Sequence, residues 1–175
     1  MMRLLCAVKR LMSCPIAVMC GIALVSAGAL TAALTAQYVF GLEPCILCLY
    51  QRAPFVIALV LAVIGLAFFR QKSAPVVALC ALAFAANAVI AFYHVGVEQH
   101  WWKSFLEGCA VPDLGSDPAA LLDNIMNAPA VRCDEIAWKD PVFGQSMAFY
   151  NVILCAGLAL TFGISAYWIK QRPQA

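Results

Sequence analysis

Four stretches of this chain carry no charged residue: Pro15–Phe40, Ala53–Phe69, Ser73–Tyr93 and Pro141–Ile169, of 26, 17, 21 and 29 residues. A helix needs about 20 residues to cross the hydrocarbon of a bilayer, within a range of about 17 to 25. Backbone groups find no water partner in lipid, so segments of this kind must pair their own N–H and C=O groups as helices. The expected fold is all-α: a membrane four-helix bundle whose long outer loop contains a short amphipathic helix. Residues 1–175 form one integral membrane domain, with spans at about 15–40, 49–69, 74–94 and 147–168 and outer loops at 41–48 and 95–146. Composition agrees, because only 11% of residues are charged against about 25% in an ordinary soluble domain.

Charge sets the orientation. Arg3, Lys9, Arg10, Arg70, Lys72, Lys170 and Arg172 flank one side of the spans, without any acid among them. All nine acids lie in the two remaining connections. By the positive-inside rule both termini and the 70–72 link face the cytoplasm, and both acidic connections face outward. The net charge of +2 conceals this asymmetry and argues against a nucleic-acid partner. Met1–Ala36 also has the basic start and apolar middle of a signal peptide. Its apolar run exceeds the roughly 7–15 residues of such a segment, so the first span is expected to be retained.

In the long outer loop, Trp101 and Trp102 near one end and Trp138, Phe143 and Tyr150 near the other are expected at headgroup level. Between them "DPAALLDNIMNAP" reads as a short helix: Asp117 is a suitable N-cap, Pro118 a suitable first residue, and Pro129 ends the run. Leu121, Leu122, Ile125 and Met126 share its apolar face, which is expected to rest on lipid or on the bundle.

The topology sorts the nine cysteines. Cys6 and Cys14 fall on the cytoplasmic side, where disulfides are rare. Cys20, Cys80 and Cys155 fall within spans and read as small apolar fillers. Cys45, Cys48, Cys109 and Cys133 all fall outside, as two natural pairs, one in each outer loop. Cys45 and Cys48 form a C-x-x-C at a helix start, where sulfurs can bridge and the helix terminus favours thiolate. Arg52 follows Cys48 by four residues, so on a continuous helix they share a face. A fixed guanidinium there can stabilise a thiolate or hydrogen-bond a carbonyl oxygen of a lipid-soluble ligand; the plainer reading is an arginine snorkelling to the interface. Pro54 disfavours helical geometry at Ala53 and bears on that alignment. The Cys109–Cys133 pair reads either as a structural staple, worth roughly 3 kcal/mol by loop-closure entropy, or as an exchangeable disulfide in polar surroundings that an outside thiol can reach. Zinc bound by all four cysteines is disfavoured by the apolar "CILC" setting, and no resident metal is expected.

Taken together, "PCILCLYQR" opening the second span, "YHVGVEQHWW" after the third, the lone cysteines at 109 and 133, "CDEIAW" and "GQSMAFYN" resemble the disulfide bond formation protein B (DsbB) family of bacterial inner-membrane thiol–quinone oxidoreductases. The resemblance implies an enzyme that reoxidises a periplasmic DsbA-like thioredoxin-fold dithiol protein and passes the electrons to a membrane quinone, ubiquinone or menaquinone. It implies four catalytic cysteines in relay: the partner attacks Cys109–Cys133 at Cys109, Cys133 attacks Cys45, and Cys48 is released as a thiolate beside the quinone. Arg52 would hold the quinone. His94, at the outer end of the third span, is a further quinone-site candidate beside its plain reading as a hydrogen-bonded interfacial histidine. Two alternatives stand against this reading. A vitamin K epoxide reductase-type enzyme carries its C-x-x-C on the last helix, where this chain has only Cys155; a non-catalytic tetraspan protein would use its outer disulfides only as staples.

Overall fold

A computed structural model describes residues 2–69, 73–106, 109 and 131–172. The expected 117–129 helix and the basic 70–72 link lie outside the described residues. Among the described residues there are five helices: α1 Met2–Met12, α2 Pro15–Tyr38, α3 Ile46–Phe68, α4 Ser73–Glu98 and α5 Met147–Lys170. Helices α2 to α5 are each long and apolar enough to cross a membrane, so the protein is an all-helical, four-span membrane bundle. Among the described residues the only extended pairing is an isolated bridge between Lys139 and Ser146.

Local sequence explains where the helices begin. Cys14 is extended and Pro15 occupies the first turn of α2, a position where a missing N–H costs nothing. Cys45 caps α3, its sulfur accepting from the backbone N–H of Cys48. Ser146 caps α5, its oxygen accepting from the N–H of Phe149. Pro54 sits inside α3 without ending it, so α3 carries Cys48 and Arg52 on one continuous helix, one turn apart.

Helix α1 is an addition to the four expected helices. It is amphipathic, and Lys9 Nζ lies 6.0 Å from the centroid of the Trp168 ring on α5, a cation–π distance. This contact gathers the N-terminus and the end of α5 at one end of the bundle. Glu98, Asp134, Glu135 and Asp140 lie at the opposite end, with the outer connections.

Packing follows the order α2–α3–α4–α5, with α2 touching α5 only thinly. Met19, Ile22, Ala58, Ala62, Val77, Cys80, Phe84 and Cys155 are completely buried. Phe84 centres the core, with Phe55 and Phe162 each 5.8 Å away between ring centroids. Leu24, Val60, Leu82, Val89 and Leu160 project outward, which suits a lipid-facing surface because hydrocarbon imposes no penalty on exposed apolar side chains.

The C-terminal end of α4 is closed by aromatic rings. Trp102 Nε1 donates to Tyr93 O at 3.2 Å, and the two rings stack at 6.0 Å. A Cβ on Gly96 would overlap the Trp102 ring, so glycine is what lets the indole lie against the helix. Trp101 and Phe105 are exposed beside it, an amphipathic cluster of the sort found at bilayer interfaces.

Candidate functional site

The site lies at the acidic end of the bundle, where the N-termini of α3 and α5 meet the last turns of α4. Cys45 is the N-cap of α3, and its sulfur accepts from the N–H of Cys48 at 3.3 Å, one of the first-turn groups that has no partner within the helix. Cys48, one turn on, brings its sulfur to 2.9 Å from that of Cys45, so bond formation between them needs little backbone movement. Cys45 lies just outside the spanning segment. The hydrogen bond from Cys48, reinforced by His94, holds its thiol well below the ordinary range and outweighs burial, which pushes the other way.

His94 is buried, with Nε2 3.5 Å from Cys45 Sγ and 3.7 Å from Glu98 Oε1. Its other nitrogen, Nδ1, is 2.8 Å from Gln51 Nε2. Gln51 Oε1 accepts from Asn151 Nδ2 at 2.6 Å, Asn151 Oδ1 accepts from the Cys155 thiol at 3.2 Å, and Cys155 Sγ accepts from Asn87 Nδ2 at 3.3 Å. With the amides oriented as they stand, Gln51 donates to Nδ1, which leaves the ring hydrogen on Nε2, pointing at Cys45; turning every amide together would reverse the row. A buried polar row running from α4 through α3 to α5 thus couples the histidine tautomer beside Cys45 to the direction of its amides.

Glu98 extends α4 a turn beyond His94. It is buried, and its Oε2 accepts a hydrogen bond from Ser146 Oγ, the same oxygen that caps α5. The other Glu98 oxygen, Oε1, lies 3.7 Å from His94 Nε2, and an ionisable group so enclosed is a functional-site candidate.

The second cysteine pair is disulfide-bonded, Cys109 to Cys133, and both residues are wholly buried. The open, polar setting expected for this pair is not what the fold provides: both sulfurs pack with Cys45, Leu47 and Val97 in one apolar cluster, edged by Cys48, Tyr93, Leu106 and Val131. Apolar Leu106 and Val131 flank the bridge and draw it onto the bundle. Next to Cys133, Arg132 forms ion pairs with Asp134 and with Glu135 at 3.1 Å, and the Arg132 hydrogen bond keeps the Asp134 carboxyl below the usual range.

A cavity of about 410 Å³ opens beside the sulfurs. Ala29, Leu30, Ala33 and Ala36 of α2 make one wall, and Cys48, Arg52, His94 and Met147 face it. Among the described residues, the hydrogen bonds of Arg52 run to α2. Its guanidinium donates to Gln37 Oε1 at 2.7 Å and Ala33 O at 3.5 Å, clamping α3 to α2 and leaving further N–H donors for the cavity.

Sequence reasoning selected Cys45, Cys48, Arg52 and His94, which line this cavity, and Cys109 and Cys133, which lie in the neighbouring cluster. It missed Gln51, Glu98, Asn151 and Ser146. Cys155, read as a filler, is a member of the polar row, while Cys20 is exposed and Cys80 is buried with its thiol toward Ala58 O at 3.8 Å. The signal for the row was available: glutamine and asparagine inside apolar spans are rare and seldom idle.

Comparison with known proteins places these residues in context. The family described as disulfide bond formation protein DsbB matches residues 12–165. The chain is 30% identical over 144 residues to disulfide bond formation protein B of two strains of Xanthomonas campestris pv. campestris, covering 78% of this chain and 81% of those proteins. It is 24% identical over 150 residues to an uncharacterized protein of Rickettsia prowazekii, covering 82% and 83% of the two chains. No solved structure matches it.

Proposed function

The chain belongs to the DsbB family, and from that premise we propose that it is an inner-membrane protein-dithiol:quinone oxidoreductase that regenerates a periplasmic, DsbA-like dithiol oxidase. The observation that carries this reading is the single apolar cluster holding Cys45, Cys109 and Cys133, edged by Cys48. Disulfide exchange needs an attacking thiolate, a leaving thiolate and contact between them, and two cysteine pairs packed together supply the contact.

The order of exchange is the one that family membership implies, and the cluster joining the two pairs supports it. A partner thiolate attacks Cys109 Sγ, breaking Cys109–Cys133 and releasing the Cys133 thiolate. Cys133 attacks Cys45 Sγ, the bond to Cys48 breaks, and Cys48 is left as a thiolate on the cavity side. The second partner thiol then displaces Cys109, completing the partner's disulfide, and Cys109 displaces Cys45 to re-form Cys109–Cys133. The Cys45–Cys48 dithiol that remains holds the two electrons. Its Cys45 thiolate is favoured by the Cys48 hydrogen bond, by the Nε2–H of His94 and by the N-terminus of α3.

The cavity fits a quinone headgroup: its alanine wall is apolar and flat, and Arg52 retains donors suited to a carbonyl oxygen. A bound quinone would supply a two-electron, two-proton acceptor. Arg52 and His94 would hold it beside Cys48, and the thin contact between α2 and α5 offers a way in from lipid. Segregation of Lys9, Arg10, Lys170 and Arg172 to the end opposite the sulfurs favours cytoplasmic termini and a periplasmic site.

The test is quinone reduction by purified protein in lipid nanodiscs with a reduced thioredoxin-fold dithiol protein as donor. Turnover is expected only with both substrates, none after Cys48→Ser, and a KM for quinone raised by roughly tenfold, about 1.4 kcal/mol, after Arg52→Ala. Unchanged rates in both variants would remove this mechanism, and no turnover in the unsubstituted protein would leave the disulfides as staples.

A further inference from the structure

The groups around Cys45 also meet the requirements of a metal centre. The ligand atoms of Cys45, Cys48 and His94 all lie within 4.8 Å of one another. A tetrahedral zinc ion with sulfur at about 2.3 Å and histidine nitrogen at about 2.0–2.1 Å separates those two ligands by roughly 3.6 Å. Cys45 Sγ and His94 Nε2 are 3.5 Å apart. Two sulfurs on the same ion stand roughly 3.8 Å apart, so the 2.9 Å pair must open by a rotamer adjustment that only the dithiol permits. Glu98 Oε1 lies 3.7 Å from the same histidine nitrogen, against roughly 3.4 Å for nitrogen and oxygen ligands of one tetrahedral zinc. Its other oxygen is taken by Ser146, and the carboxylate stands outside the converging Cys45, Cys48 and His94 atoms, so Glu98 is a neighbour of the site, close enough to His94 to favour a cation there.

The surroundings suit a bound cation. Two thiolates neutralise a divalent ion, so a buried Cys45–Cys48–His94 complex introduces no net charge into the low-dielectric site. A metal at Nε2 requires the ring hydrogen on Nδ1, and a half-turn of the Gln51 amide presents Oε1 to accept it. Asn151, the next amide in the row, can turn with it. A ligand histidine held by a second polar group through its other nitrogen is the arrangement metal sites favour.

We propose that the reduced Cys45–Cys48 pair and His94 form a redox-gated site for a thiolate-preferring divalent cation of the zinc class, with a fourth position open and Glu98 beside the histidine. Binding takes both sulfurs as thiolates, displacing whatever thiol protons remain, with no change of oxidation state. When the pair gives its two electrons to the quinone of the function proposed above, the Cys45–Cys48 disulfide that forms removes both thiolates and releases the ion. One bound ion therefore holds the dithiol in its reduced form. The site rests on geometry alone; its consequence, reversible arrest of turnover, rests on the function proposed above.

The experiment uses full-length Cys109→Ser/Cys133→Ser protein in detergent, so that Cys45 and Cys48 are the thiols at this end. Cobalt(II) is titrated into reduced and oxidised samples, followed by competition with zinc(II). The reduced protein should bind one cobalt per chain with sulfur-to-cobalt charge-transfer bands and tetrahedral ligand-field intensity, and zinc should abolish both. The oxidised form of the same polypeptide, which needs no further substitution, should lose the spectrum. His94→Ala should weaken binding by tenfold or more, and Glu98→Gln by less. Equal binding in both redox states, a spectrum that survives Cys45→Ser, or affinity within twofold after His94→Ala would overturn the proposal. Quinone reduction by the unsubstituted protein, run in parallel, separates the two readings. Turnover without a cobalt spectrum sinks only the metal site, and a spectrum without turnover sinks only the oxidoreductase.

Discussion

His94 takes its meaning from its neighbours on both sides of the ring, because Gln51 on Nδ1 decides what Nε2 offers to Cys45. Gln51→Leu removes that decision while keeping the volume. It should cut the rate of quinone reduction by roughly 10- to 100-fold, the usual effect of losing a group that orients a histidine, with helix content by circular dichroism unchanged. A second prediction concerns Cys45 itself. Since its pKa lies below the ordinary thiol value, the thiolate persists as pH falls. Alkylation of reduced protein at Cys45 should stay level from about pH 8 to well into acid, whereas an ordinary thiol near pKa 8.5 loses reactivity over that interval. Cys48→Ala removes the sulfur hydrogen bond, so the fall-off should move to higher pH. Local spacing was enough to place Cys45, Cys48 and Arg52 along one side of a helix, on successive turns. Gln51 and Asn151 could be singled out as polar groups inside apolar spans, but not their pairing, which joins residues a hundred apart in sequence.

At the scale of the elements, helix ends carry the site. Ser146 serves two elements at once, capping α5 and donating to Glu98 of α4. Ser146→Ala should therefore cost more than the roughly 1 kcal/mol of a lost N-cap, because it also leaves a buried carboxylate oxygen without its donor. A drop in the thermal unfolding midpoint in detergent, larger than for an exposed cap substitution, checks this. Gly96→Ala should expel Trp102 from its seat on α4, which tryptophan fluorescence would report as a shift to longer wavelength. The spans themselves were legible from charge-free length alone. The reach of α4 to Glu98 was not, because a buried acid ends an apolar run in sequence while the helix, held by Ser146 and the Trp102 contact, continues. Pro54, which bore on the alignment of Cys48 with Arg52, does not end the helix: early in α3 it perturbs only the first turns, and the helix runs on. Helix α1 is short and charged, so nothing in a search for apolar length points to it.

For the molecule as a whole, the arrangement joins two environments at one end of a bundle. If α2 and α5 flank the route from lipid to the cavity, narrowing the alanine wall should affect one substrate only. Ala33→Trp is expected to raise the KM for quinone roughly tenfold, about 1.4 kcal/mol, while leaving the rate of the first exchange with the dithiol donor unchanged in single-turnover mixing. What the sequence could not foretell at this scale was the place of the second disulfide. Polar neighbours such as Arg132, Asp134 and Glu135 suggest an open loop, yet they pair among themselves and leave the sulfurs to the apolar side. On the function proposed above, a bridge so buried and packed against Cys45 should react slowly with thiols the size of glutathione and quickly with a docked dithiol protein, a difference that stopped-flow mixing would read as a ratio of rates.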